Sequence, residues 1–261
     1  MSIAGSPCDV PDVDAPDAID RVEGGIVVVV IPDATSLTWA NVSRLLAWHN
    51  FTAHLPVPAF PVRHHGIPGL VTRWSERDLL EPIRHRSGIH HAAGGRLYRL
   101  DLSALTIPAR QSATARWWTW SQHIAATTPP ARPWQDYLAE HRRNPEKLPL
   151  PEARRRFQAQ PRVLAMLAFN SYPYSPFHLS PEELGAYQAG ATVYVALHWQ
   201  HPIVGDVLIA PAGQLLRPAS TSIADRLIYL ATATRIVHSL SPRDHLAIVQ
   251  AATPPGTTPA P

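Results

Sequence analysis

Gly24–Asn50 reads GGIVVVVIPDATSLTWANVSRLLAWHN, and this stretch decides the fold class. Ile26 to Ile31 are six consecutive β-branched residues. Such a run fits a strand buried on both faces, since alternate side chains point to opposite sides of a sheet. Pro32-Asp33 ends it, and Thr35 or Ser36 is placed to cap a helix whose Trp39, Val42, Leu45 and Leu46 share one side. A strand that feeds a helix at once implies an α/β or α+β unit. No glycine-rich phosphate loop follows the strand, so nucleotide binding has no support. Asp33 stands where open α/β sheets carry functional groups, although a turn or capping role explains it more simply.

Outward from this unit the chain is punctuated by 28 prolines, which shorten helices and stiffen connectors. Residues 51–74 read as a loop with Pro56, Pro58, Pro61, Pro68 and the pair His64-His65. Ser75 to Asp78 looks like the start of a helix that ends near Gly88. His90-His91 and Gly94-Gly95 read as a second loop, and RLYRLDL (96–102) as a strand able to pair with IVVVVI. Ser112 opens a helix to Ala126, with Trp117, Trp120 and Ile124 on one face. Ser180-Pro181-Glu182-Glu183 has the form of a capping box, starting a helix that runs to Gln200. A hairpin follows, IVGDVLIAP and QLLRP about a turn at Ala212-Gly213. Ser220 to Ser222 caps the last helix, IADRLIYLATATRIVHSL.

The expected fold is α+β, a mostly helical single-layer assembly on a small sheet. Residues 1–23 form an acidic tail read as disordered, as are residues 253–261. The body divides into an α/β-like part, 24–126, and a mainly helical part, 132–252. The boundary falls near 127–133, between or within domains.

Composition narrows the function less. The chain has 261 residues, 45% of them hydrophobic and 16% charged, the profile of a globular protein. Residues 1–23 hold six acids and one arginine, so the formal net charge of +3 hides a basic remainder of +8. Of 23 Lys and Arg residues, only Lys147 is a lysine; that bias, with the abundant Ala and Pro, suggests a high-GC bacterial genome or one of its phages or plasmids. One cysteine, Cys8, excludes an internal disulfide. The acidic start lacks the form of a signal peptide, and no apolar run is long enough for a bilayer. A cytoplasmic location fits these features.

The densest charge lies in the second half. From Arg110 to Arg162 there are ten Lys or Arg and four Asp or Glu. Pro133 starts one helix, WQDYLAEHRR, which stops at Asn144-Pro145. An extended KLPL connector leads to a second helix, which starts at Pro151 and is kinked or split by Pro161. The VLAMLAF run that follows is apolar all round and reads as buried. Arg142, Arg143, Lys147, Arg154, Arg155, Arg156 and Arg162 are the candidate contacts to nucleic acid or another polyanion, because arginine pairs bidentately with phosphate. Trp117, Trp118, Trp120 and Trp134 could add stacking on unpaired bases. A solvated helix face with core tryptophans explains the same residues.

The 14 histidines hold one sharp pair, His198 and His201, at i,i+3 spacing with Asp206 after them. Two histidines and a carboxylate can bind zinc or non-heme iron. Helix-end polar residues are the plainer reading. His64, His65, His85, His90 and His91 could cluster only if their loops meet. There is no nucleophile elbow or kinase signature, no cofactor is implied, and Glu182-Glu183 is accounted for by helix capping. Three functions compete: a non-enzymatic protein contacting a polyanion, a protein-interaction or assembly component, and a metal-assisted enzyme. Neither the partner nor the oligomeric state is read from the sequence.

Overall fold

The computed structural model describes residues 25–63, 78–85 and 88–252. The expectations for the two tails, for His64-His65 and for Ser75 to Arg77 lie outside them. The fold is α+β, with eight α-helices among the described residues. β1 (Gly25–Ile31) is the predicted strand, with five of its seven residues buried. Its neighbour is β10 (His245–Ala252), paired antiparallel through the whole of β1, with Val28 opposite Ile248. β10 went unread in the sequence. HLAIVQAA is alanine-rich and carries a polar Gln250, so it lacks the β-branched signal of β1.

The main sheet runs β4 (Leu79–Leu80), β7 (Gly94–Arg96), β10, β1, β8 (Val207–Ile209), β9 (Leu215–Leu216). β2 (Thr52–Pro56) also pairs with β10. β3 (Phe60–Pro61), β6 (Gly88–Ala92) and β5 (Ile83–His85) form a second, small sheet. β1 and β8 are parallel. The predicted hairpin is present as β8–β9.

Alternation along β1 separates two cores. Val27, Val29 and Ile31 face α1 (Trp39–Trp48), where they meet Val42 and Leu46. Val28 and Val30 face the helical layer, formed mainly by α2 (Leu102–Trp120), α7 (Ala191–Val204) and α8 (Ile223–Ser239). Each fully buried Val or Ile contributes roughly 1.5–3 kcal/mol relative to exposure, so β1 is a principal anchor of both cores.

Several expectations change. Thr38, not Thr35 or Ser36, caps α1. Where residues 78–85 of the helix expected from Ser75 to near Gly88 are described, they form β4 and β5 instead, and Glu81 between them has φ 45°, which a helix does not allow. RLYRLDL contributes only Arg96 to a strand. Leu97–Arg99 is a 3-10 turn, and Asp101 caps α2 through the Ala104 N–H at 3.2 Å. α2 therefore starts ten residues earlier than Ser112, and β7 pairs with β4 and β10, not β1. α3 (Trp134–Arg143) and α4 (Leu150–Gln158) match their proline-led starts. The connector between them turns at Pro145–Lys147, and His141 Nδ1 lies 2.8 Å from the Leu148 carbonyl. Pro161 splits the second helix, as expected, and is the first residue of α5 (Pro161–Ser171). α5 is not buried all round, however, as Leu164 and Leu167 are exposed. The helix predicted from Ser180 is a 3-10 turn (Pro181–Glu183), then α6 (Leu184–Gln188), a break at Gly190 with φ 105°, and α7.

The Thr127–Pro133 connector is strapped by two glutamines. Gln188 accepts from the Ala131 N–H (2.9 Å) and donates to the Ala131 carbonyl (2.8 Å). Gln160 does the same for Arg132, at 2.7 and 2.9 Å. Among the described residues no helix is long and apolar enough to cross a membrane.

Candidate functional site between α3, α6, α7 and α8

A cleft of about 530 Å³ is lined by Gln135, Glu183, His198, His201, Ile223 and Arg226 among others. His198 and His201 are one turn apart on α7, so the i,i+3 spacing puts both on this wall. Glu183 reaches it from the 3-10 turn before α6. Its Oε2 is 3.5 Å from His198 Nε2 and accepts from the Tyr194 hydroxyl at 3.2 Å. Tyr194 also bonds the Tyr187 hydroxyl at 2.9 Å, and the two rings stack at 4.2 Å. Trp120 stacks behind Tyr187, and the His198 ring lies 4.2 Å from Tyr194. An aromatic column from α2 to α7 thus fixes the orientation of His198 and Glu183.

Burial alone would raise the Glu183 pKa. The bonds from His198 and Tyr194, with the positive field of Arg116, outweigh it and hold the carboxyl below its usual range. Burial pushes Tyr187 up to about 12 and Tyr194 up as well, so both remain neutral hydrogen-bonding groups. His201 Nε2 is 2.9 Å from Asp206 Oδ1, and this bond is the main cause of a lowered Asp206 pKa. Asp206 Oδ2 accepts from the Ile26 N–H at 2.9 Å, which ties the end of α7 to the start of β1. In both pairs Nε2 faces a carboxylate, which leaves Nδ1 of the neutral ring to accept a proton.

The predicted metal set is therefore only partly assembled. His198 and His201 share the cleft, and Asp206 contacts His201. Yet His198 turns to Glu183, and among the described residues no three His, Cys, Asp or Glu side chains form a group able to hold a metal. Glu183 was missed because the capping-box pattern accounted for it. Ser180 makes no side-chain cap, however, and Glu183 belongs to the Tyr194–His198 cluster. The part legible as helical spacing was Tyr194 and His198, four apart on α7; Glu183 and Tyr187 join them across the break at Gly190.

The basic stretch divides in three. Arg142 and Arg143 end α3, Lys147 sits in the turn and Arg154 lies on α4; all four are exposed, and none makes an ion pair with the described residues. Arg155 and Arg156 both bind Glu152, at 2.8 and 2.7 Å, and pull its pKa down to about 2. Arg162 is not a surface residue at all. It is 6% exposed, and its guanidinium donates to Thr128 Oγ1, the Thr128 and Ala125 carbonyls and Gln188 Oε1. The tryptophans are mostly committed as well. Of the four in this stretch, Trp120 is buried, Trp117 donates to the Tyr187 carbonyl at 3.0 Å, and Trp134 packs on Phe157; Trp118 is open to solvent. Asp33 pairs with Arg96 at 3.4 Å, its backbone N–H bonds Asp244, and it occupies a turn. Comparison with protein-family models, with curated proteins and with solved structures finds no match.

Proposed function

We propose that the protein binds a small polar ligand in the cleft and exchanges protons with it through His198 and His201. The supporting observation is that both imidazoles line one cleft, each backed by its own carboxylate. Glu183 and Asp206 fix the rings, while the neutral Nδ1 atoms are the proton acceptors. A fragment screen read by histidine ring resonances tests this. Ligands should shift His198 and His201 together, and His198→Asn with His201→Asn should remove the pH dependence of binding. If binders leave both rings unperturbed, the proposal fails.

A second reading is supported by the packing of α3 on α4 through Trp134, Tyr137 and Phe157, with Arg142, Arg143, Lys147 and Arg154 exposed on that helix pair. It is a non-enzymatic contact to nucleic acid. Retention on duplex DNA should then fall with salt by a log–log slope of about −0.9 per phosphate neutralised. Replacing Arg142, Arg143 and Arg154 with alanine should flatten that slope. An unchanged slope would favour a protein partner instead.

A further inference from the structure

α2 turns Ala109, Ser112, Ala113 and Arg116 toward His198 of α7. The small residues leave a solvent-open cavity of about 200 Å³. Arg116 is poorly served inside it. Its Nη2 reaches Ser112 Oγ only at 3.4 Å, and its buried Nε has no hydrogen-bond partner among the described residues. No carboxylate among the described residues lies within ion-pair distance of it. Glu183, whose pKa feels its field, is engaged with Tyr194 and His198.

A buried guanidinium N–H left without a partner is costly, and the group that matches the planar fork is a carboxylate or a phosphate. We propose that this cavity is an oxyanion subsite, in which Arg116 binds the carboxylate or phosphate group of the ligand and Ser112 donates a further hydrogen bond. His198 borders both this cavity and the larger cleft. The ligand class is therefore an anionic small molecule, its charged end at Arg116 and its remainder beside the two histidines. This deepens the proposed function and rests on it only for the placement of the ligand beside the two histidines.

The test titrates the whole 261-residue chain with inorganic phosphate and, separately, with acetate. It follows the Arg116 Nε–H resonance and the fluorescence of the neighbouring tryptophans. Saturable binding of one of the two should shift the Arg116 signal, and whichever binds more tightly identifies the group. Arg116→Gln should weaken it at least about tenfold. Arg116→Lys, which keeps the charge but loses the fork, should fall between. If Arg116→Gln does not fold, the native resonance decides the matter: no shift at saturation overturns the subsite. Equal affinity in Arg116→Gln, or affinity lost only on removing Arg142 and Arg143, overturns it too. Anion binding at Arg116 with His198 and His201 untouched by every ligand would keep the subsite and refute the proton-exchange reading; the reverse pattern would do the opposite.

Discussion

Replacing Arg162 with methionine should destabilise the protein by about 3–5 kcal/mol. Methionine fills much of the aliphatic volume but donates nothing. Four acceptors then lose a charged donor: Thr128 Oγ1, the Thr128 and Ala125 carbonyls and Gln188 Oε1. Hydrogen bonds to charged groups each contribute roughly 1.5–3 kcal/mol, but these four share one guanidinium and are not additive. Gln188 keeps its bonds to Ala131, and water can reach some of the freed carbonyls, so the loss falls near that for breaking a buried charged network. For a chain of this size that is a fall in Tm of about 10 °C or more. Urea unfolding followed by tryptophan fluorescence measures it as a lower midpoint at constant slope. Arg154→Ala is the control and should stay within about 0.5 kcal/mol, as exposed substitutions usually do. A methionine variant within about 1 kcal/mol of the native protein would refute the structural role, and so would one that kept its stability but lost retention on DNA.

Other expectations follow from single contacts. Tyr194→Phe removes the bonds to Tyr187 and Glu183; it should cost about 1–2 kcal/mol and raise the Glu183 pKa, readable by carboxyl NMR. Gly205→Ala should cost at least about 2 kcal/mol, since φ is 63° and a Cβ would stand 2.5 Å from the Ile26 carbonyl oxygen. Gly213→Ala, with φ 76° and open space, should cost about 1–2 kcal/mol in the same unfolding assay. Burial, and then Arg96, lowers the His245 pKa, against the opposing pull of the Ile31 carbonyl, Asp78 and Asp33. The unfolded chain therefore takes up a proton first. This contribution to stability is complete above about pH 6.5 and is lost as pH falls from there through the lowered folded value. His245→Asn should flatten midpoints measured between about pH 7.5 and 5.5; an unchanged slope would assign the effect elsewhere.

What could be read in the sequence was what depends on local chemistry. Six β-branched residues announced β1, and prolines marked the starts of α3 and α4. Ser222 marked the start of α8 through its bond to the Asp225 N–H. β10 could not be read in the same way, because its strand state comes from lying between β1 and its other partners and not from its own residues. The cleft was half legible. The His198–His201 spacing identified one wall, but Glu183 matched two patterns, and the choice between them depends on Tyr194 reaching it across the α6–α7 break. Arg162 was misassigned because charge density is a property of sequence and burial is not. Its position beside Val163, on the face shared with Met166, was the available clue.

The two glutamine straps bear on how the chain can be cut and how it can move. Thr127–Pro133 looks, by composition, like a site for protease nicking and a pivot between halves. Yet Ala131 and Arg132 each have both main-chain polar groups held by a side-chain amide, as an added strand would be. A protease needs an extended stretch it can lift out, and lifting this one out would break four hydrogen bonds together. Limited digestion should therefore spare this segment while exposed turns such as Pro145–Lys147 are cleaved. Any widening of the cleft should pivot not at the proline-rich connector but at Gly190, where the backbone turns between Glu183 and His198 and nothing crowds it.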